Sequence, residues 1–411
     1  MKVLISAYAC EPGRGTELGV GWNTVREVAR YHDVWVLTRP DDGREAIEAE
    51  LTRDPVPNLQ FVYFTLPLWG GGWKWGQGAF QIHYYLWQVQ AYFVARKLHR
   101  EIGFDIAHHV TFVKYSTPSF LSLLPVPFIL GPVGGGEMAP KPFWKDFSRK
   151  AKLYEILRNV MRWVGEIDPF TRMTVRRSTL VWATTDDTAK CLVAIGGKNV
   201  QLLSQVGLLP EEVEQLAQFS PSTPVPLRFI SIGRLLHWKG FHLGLHAFAK
   251  AELPPEAEYW IVGKGPEAES LQRLATELCI VSQVKFLDEM PRTDLIQKLG
   301  TCLALVHPSL HDSGAFVCLE AMAAGRPVIC LDLGGPAVQV IEETGFKIPA
   351  QNPEQAIAGM AQAMKRLATE PELRVQLGMA GQERVYQSFN WATKGQFLST
   401  VYEKLWLQQD K

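Results

Sequence analysis

The sequence predicts an α/β protein of two domains, each built on a parallel sheet. Three observations carry this. Short apolar strand patterns alternate with helical stretches of about ten residues, which means βαβ units and right-handed crossovers. The chain has 411 residues, enough for two domains at about 100–200 residues each. Charge is unevenly spread: residues 1–204 carry 24 Lys/Arg and 19 Asp/Glu, the remainder 18 and 23. Two halves with different surfaces fit two domains with different ligands better than one continuous fold.

The elements follow in order. KVLISAY (2–8) is a strand, followed by a polar Gly-rich loop (11–19) and a helix from about 20 to 31. DVWVLTR (33–39), LQFVYF (59–64), FDIAHHV (104–110), VPFILGPVGGG (126–136) and TLVWATT (179–185) are further strands, the fourth with its loop. Two inserts interrupt them. Residues 66–98 are crowded with aromatics, among them Trp69, Trp73, Trp75, Tyr84 and Trp87. Residues 139–177 hold ten Lys/Arg against four Asp/Glu, interleaved with Phe143, Trp144, Tyr154 and Trp163. A Pro- and Ser-bearing stretch after QLLSQVG, near 210–227, reads as a linker.

The second half alternates more regularly. RFISIG (228–233), EYWIVG (258–263), QVKFL (283–287), CLALVHP (302–308) and RPVICL (326–331) are strands. Between them lie helical stretches at 241–251, 267–278, 294–300 and 315–324, and 391–408 closes the chain as an amphipathic helix. The domains expected are 1–209 plus 391–411, and 225–390.

Composition excludes several classes. Lys plus Arg equals Asp plus Glu at 42 each, which argues against a protein that grips nucleic acid through its phosphates. No apolar run approaches the ~18–20 residues needed to cross a bilayer. The start, MKVLISAYACEPG, is a strand pattern broken by Glu11 and Pro12 rather than a secretory signal. Six cysteines show no CxxC and no metal-ligand spacing, so reduced core thiols in a cytoplasmic protein are expected.

Chemistry concentrates at strand ends, where ligands of open α/β sheets sit. In HDSGAFVCLEAMAAGRP, Asp312 precedes a helix opened by Ser313, Gly314 and Ala315, and Glu320 lies about one turn inside it. Free N–H groups and the positive dipole end there suit phosphate or sugar oxygens, and two carboxylates suit hydroxyl pairs. The competing reading makes Asp312 a helix cap and Glu320 a solvated charge. Gly233-Arg234 with Lys239 supplies two cations able to neutralise a diphosphate, or two ordinary surface charges. Gly263-Lys264-Gly265 and Leu287 to Met290 form either a slot that reads a base edge or plain loops. His108 and His109 end a strand and are either buried core histidines or proton-transfer groups, and Glu137 follows three glycines. Gly15, Gly19 and Gly21 do not make GxGxxG, so no dinucleotide site is read there.

Together these residues resemble the retaining glycosyltransferases of family 4 (glycosyl transferases group 1), which have the GT-B fold. The resemblance runs through nearly the whole chain and is most specific from Gly233 to Pro336: GRLLHWKG, VGKGP, VKFLDEMP, HDSGAFVCLEAMAAGRPV and GGP. It implies two Rossmann-like domains facing a cleft, with a nucleotide sugar held mainly by the second. It also implies a last helix that returns to the first domain. Arg234 and Lys239 match the cations on the donor diphosphate. Glu320 matches the ribose-binding glutamate. Asp312 falls where the family has the first glutamate of its E-x7-E motif, contacting the sugar. The backbone of Ser313, Gly314, Ala315 and Phe316 matches the sugar and phosphate cradle, the segment 286–290, with Leu287 and Met290, matches the part that reads the base, and Gly19, Gly233 and Gly263 are further expected donor-binding positions.

Two departures stand out. Asp312 is one methylene shorter than glutamate, and the loop after 126–131 lacks the histidine of many relatives. Either His109 or Glu137 stands in, or no side-chain base is needed. The activity implied is metal-independent hexosyl transfer with retention. The donor is a co-substrate, UDP-sugar favoured over GDP-sugar, and no cofactor is bound. The acceptor is a glycan, lipid-linked intermediate or small molecule. The basic and aromatic inserts suit either an anionic membrane surface or, as a solvated face and pocket wall, nothing of the kind. A synthase making a soluble disaccharide phosphate would instead need first-domain cations such as Lys114, Lys141, Arg172 or Arg177. A non-catalytic sugar-nucleotide-binding module is the third reading.

Overall fold

A computed structural model describes residues 1–15, 17–66, 77–219, 221 and 226–408. Contacts divide the chain into two compact units, Met1–Gly136 with Asn159–Gln205 and Trp391–Lys411, and Glu137–Arg158 with Val206–Asn390. The sequence had 137–158 in the first domain. Its contacts group it with the second unit because Phe143, Phe147 and Ala151 are buried in the apolar cluster of Phe229, Leu243 and Phe248.

The first unit holds seven parallel strands: β1 (Lys2–Ala7), β2 (Asp33–Thr38), β3 (Leu59–Tyr63), β4 (Ile106–Thr111), β5 (Phe128–Val133), β6 (Leu180–Ala183) and β7 (Val200–Leu202). Their order is β3-β2-β1-β4-β5-β6-β7. The second holds β8 (Arg228–Ile232), β9 (Glu258–Val262), β10 (Val284–Leu287), β11 (Ala304–His307), β12 (Val328–Leu331) and β13 (Gly345–Ile348), ordered β10-β9-β8-β11-β12-β13. All neighbours pair parallel. These are Rossmann-like, doubly wound sheets. Central strands such as β4 and β12 are buried along their whole length, as expected when helices cover both faces. Strand order reverses between β1 and β4 in one sheet and between β8 and β11 in the other. Loops leaving those strands are the ones that can hold a ligand.

Several elements differ from the sequence reading. The stretch read as a linker contains the helix Pro210–Ala217, which starts on proline and buries Val213 and Leu216. Strand β13 and the helices Pro353–Thr369 and Pro371–Ser388 were not read at all. Of the aromatic insert, Trp69, Trp73 and Trp75 lie outside the described residues. Gln77–Ile102 is one helix. Its Tyr84 and Trp87 are buried edge-on against Tyr8, with ring centroids 4.9 and 5.0 Å apart. Its Ile82, Leu86 and Phe93 are exposed.

The basic insert forms a helical turn, Lys141–Asp146, and the helices Arg149–Ile167 and Pro169–Arg177. Arg149–Ile167 is inverted relative to an ordinary surface helix. Leu153, Ile156, Leu157, Val160, Val164 and Ile167 face solvent, with Trp163 58% exposed beside them. Their spacing of three and four residues makes one continuous stripe. Its carboxylates point inward: Glu155 is fully buried and Glu166 accepts from the Tyr115 hydroxyl. Arg162 donates to the Gly136 carbonyl (3.0 Å).

The closing helix, Trp391–Leu407, belongs to the first unit. Its Tyr402 hydroxyl meets Nδ1 of His108 at 2.5 Å, and its Ser399 hydroxyl meets Nε2 of His32 at 2.9 Å.

Candidate active site

The geometry begins with β8. Gly233 follows it at φ 148°, and Arg234 turns out to solvent, its guanidinium without a hydrogen-bond partner among the described residues. The turn His237–Lys239 comes next and stops at Gly240. On the neighbouring β11, His307 ends the strand and the chain runs through His311 and Asp312 to the helix Phe316–Ala323. These two loops leave the strands at which the sheet order reverses.

Lys239 bridges them by an ion pair to Oδ2 of Asp312. Nε2 of His307 lies 3.4 Å from the same oxygen. Oδ1 of Asp312 accepts from the backbone N–H of Gly314 (3.2 Å) and Ala315 (3.3 Å). Burial favours the neutral acid, but the Lys239 ammonium and His307 outweigh it and hold the carboxyl well below the usual range. Asp312 thus caps the loop before the helix and anchors Lys239 at once. Burial pushes His307 down, so it stays neutral near pH 7.

Glu320 is buried, and Arg292 grips it with Nε and Nη2, both at 2.9 Å. Arg292 also pairs with Glu212, from the helix inside the stretch read as linker. Burial raises the Glu320 carboxyl, with Arg292 opposing. Glu320 is therefore no solvated charge. Ser313 and Phe316 are half-buried, while Gly314 and Ala315 are buried. Ala315 carries φ 51° and ψ 53° immediately before the helix, a conformation that turns the chain into it.

Gly263 ends β9 at φ 143°. A Cβ there would lie 2.0 Å from the Gly233 carbonyl oxygen, so the loops after β8 and β9 approach too closely for any side chain. The Gly263 N–H donates to the Leu287 carbonyl (2.9 Å) at the end of β10. Leu287 and Met290 pack half-buried against the cluster containing Val262. Arg234, Lys239, Asp312, Ser313, Gly314, Ala315, Phe316, Gly233, Gly263, Leu287 and Met290 all lie on or just beyond strand ends of one sheet. Among the described residues no group of three or more His, Cys, Asp or Glu could hold a metal ion.

His109 and Gly19 belong to the first unit. Nε2 of His109 lies 3.2 Å from the Tyr84 hydroxyl and 3.4 Å from the Phe112 carbonyl, and burial pulls its pKa down to about 4. His108 is a core histidine: Nε2 donates to the Gly131 carbonyl (2.6 Å) and Nδ1 accepts from Tyr402. Gly19 sits in the first helix, where a Cβ would lie 1.7 Å from the Arg14 carbonyl oxygen. Glu137 is buried. Lys114 donates to Gln81 (2.9 Å), Arg172 to the Glu166 carbonyl (2.7 Å) and Arg177 to the Ser122 carbonyl (2.8 Å).

Sequence reasoning missed Arg292, His307, His311, Glu155 and Glu17. His311 adjoins Asp312 and was available as a signal. Arg292 lies two residues beyond Met290. Glu17 opens the first helix, Glu17–Val28, and accepts from the Val113 N–H. Burial raises its pKa to about 7.

Residues 214–384 match the family model of glycosyl transferases group 1. A D-inositol 3-phosphate glycosyltransferase from Corynebacterium efficiens is 30% identical over 181 residues, covering 42% of each chain. The matched part thus spans less than half the length of such relatives. Among solved structures, the sucrose-phosphate synthase of Thermosynechococcus elongatus superposes with a TM-score of 0.63 at 18% identity, covering 99% of both chains. HepE of Anabaena, in complex with UDP-glucose, gives 0.60 at 17% identity, covering 98% of this chain and all of the other. The two Rossmann-like sheets therefore make a GT-B fold, and residues 214–384, within the second unit, are similar to the glycosyl transferases group 1.

Proposed function

We propose that this protein is a retaining glycosyltransferase of family 4 that moves a hexose from a nucleotide diphosphate sugar to an acceptor hydroxyl. UDP-sugar is favoured and GDP-sugar is the second choice. One observation carries the reading. At the point where the second sheet reverses its order, Arg234, exposed and without a hydrogen-bond partner among the described residues, stands on the loop that leads to the Lys239–Asp312 pair beside the helix beginning at Phe316. Such a cluster suits a diphosphate.

In the reaction the bond from the anomeric carbon to the diphosphate oxygen breaks. The acceptor oxygen bonds to that carbon on the same face, and its proton passes to the departing phosphate oxygen. Negative charge grows on the leaving group, and Arg234, Lys239 and the helix end are set to stabilise it before it forms. No metal is needed in this scheme. Asp312 keeps Lys239 aimed at the diphosphate and touches the sugar, and Glu320, held by Arg292, takes the ribose hydroxyls. Neutral, buried His109 is suited to a hydrogen bond with the acceptor side rather than to holding a proton at pH 7.

We further propose that the acceptor is a glycan or lipid-linked intermediate at an anionic membrane surface, on its cytoplasmic side. Support comes from the inverted helix Arg149–Ile167. Its stripe is apolar, Arg149 and Lys150 stand exposed at its start, and of its two carboxylates Glu155 is buried and Glu166 half-buried. No described helix is long and apolar enough to cross a membrane. A soluble sugar-phosphate acceptor has less support, since Lys114, Arg172 and Arg177 are engaged inside the first unit and the exposed Lys141 groups with the second.

A thermal-shift panel of UDP-, GDP- and ADP-sugars tests the donor site. A ligand that binds only the folded state at 100 times its Kd adds about 2.7 kcal/mol. One nucleotide should raise the melt and lose that effect in Arg234→Ala, which should also lower turnover by about 100-fold or more. A folded R234A enzyme with a near-normal rate, or no shift from any nucleotide, would sink the reading.

A further inference from the structure

Glu155 takes no part in the chemistry above, yet it is a buried carboxylate beside the two loops that carry it. It projects inward from the middle of the helix Arg149–Ile167 and is fully buried. A single oxygen, Oε1, accepts from Nε2 of His237 (2.9 Å) and from Nε2 of His311 (3.1 Å). His237 opens the turn that ends in Lys239, and His311 directly precedes Asp312. One atom therefore ties the backbone two residues before the cation to the backbone one residue before its partner acid.

The surroundings make this junction rigid. Tyr154 stacks on Trp238 (centroids 5.0 Å, 8° apart in plane), and Trp238 stacks on His311 (5.2 Å, 15°). Phe147 packs edge-on against His237 at 4.9 Å. The Leu310 N–H donates to the Trp238 carbonyl (2.7 Å), and the Ser309 hydroxyl reaches the same carbonyl at 3.3 Å. Burial opposes ionisation of Glu155. The two imidazole N–H donors outweigh it and hold the pKa at about 2, so the carboxylate stays charged. An apolar side chain of this size would fill the space without desolvating a charge. What the carboxylate adds is a fixed distance between two loops.

We propose that Glu155 is a positioning residue of the donor site, holding the turn 237–239 and the loop 308–312 at the spacing in which Lys239 and Asp312 together receive the diphosphate sugar. This rests on reading that site as the donor site. It assigns a specific task to a segment, 137–158, that lies between β5 and β6 in the chain yet packs with the second unit.

The test uses the full chain, UDP as probe, and three variants. Glu155→Leu keeps volume and removes the acceptor. Glu155→Asp withdraws the carboxylate by one methylene. Glu155→Gln keeps an acceptor oxygen at the same reach. Loss of one or two hydrogen bonds to a charged group corresponds to about tenfold or more in binding. Leu and Asp variants should therefore melt cooperatively, weaken UDP by about tenfold or more and raise donor KM more than they lower kcat. Glu155→Gln should stay within about threefold of wild type. A variant that only loosened the fold would lower the melting temperature and leave the Kd of its folded fraction unchanged.

A folded E155L or E155D with wild-type UDP affinity overturns the proposal. If E155L does not fold, E155D against E155Q decides alone, and equal affinity in those two overturns it as well. If wild type binds no nucleotide, the donor-site reading falls and takes this inference with it. That failure is recognised in wild type before any variant is made.

Discussion

Glu17 shows what one half-buried carboxylate can do to the pH response. Folded, it takes up a proton near pH 7, because burial outweighs the bond from Val113. Unfolded, it titrates near about 4.3. The folded state therefore binds the proton more tightly, and stability from this group is full below about pH 4.3 and lost as pH rises through 7. Glu17→Gln should gain stability over wild type at pH 8, and the gain should vanish near pH 4. Chemical denaturation at the two pH values measures it, and a gain independent of pH would contradict the burial of the charge. The sequence showed Glu17 as one letter in a glycine-rich loop. Its neighbour Val113 is 96 residues away in the chain, which no local pattern reveals. The same holds for Arg292 on Glu320 and for the two histidines on Glu155. Residue types and strand-end positions were legible. Partners were not.

At the scale of elements, the strands were read well because short apolar runs between polar loops admit few alternatives. The helix Arg149–Ile167 was visible only as a basic, aromatic stretch. Sequence periodicity shows that a helix has two faces but not which one meets the protein, and here polar groups turn inward because His237, His311 and Tyr115 receive them. The outward stripe gives a direct prediction. Wild type should float with anionic phosphatidylglycerol vesicles at low salt, and Leu157→Glu with Val164→Glu should weaken that binding by about tenfold or more. Raising the salt should weaken it too, since Arg149 and Lys150 act through a screened field. Wild type left behind in flotation would remove the membrane from the proposed function while leaving the donor site untouched.

For the whole molecule, the sequence correctly yielded two parallel-sheet halves, but not the path the chain takes between them. The closing helix is part of the first unit, where Tyr402 is fully buried and its hydroxyl is held by His108. Tyr402→Phe should cost about 1–3 kcal/mol by leaving a buried imidazole nitrogen unpaired, and Tyr402→Ala about 3–5 kcal/mol by adding a cavity. Calorimetry with and without UDP locates the loss. The transition that UDP raises should stay in place in both variants, and the other should fall. A UDP-sensitive transition that falls with Tyr402 would mean that the units do not unfold separately.

The segment Glu137–Arg158 also bears on how such a chain can be recombined. A chimera that exchanges 206–390 as one cassette would import His237 and His311 but leave Glu155 behind in the parent chain that supplied them. The cut points that respect the contacts number four rather than two, and the short cassette 137–158 has to travel with the long one. On the proposed reading of the site, donor specificity transplanted without it would arrive with its two loops untethered.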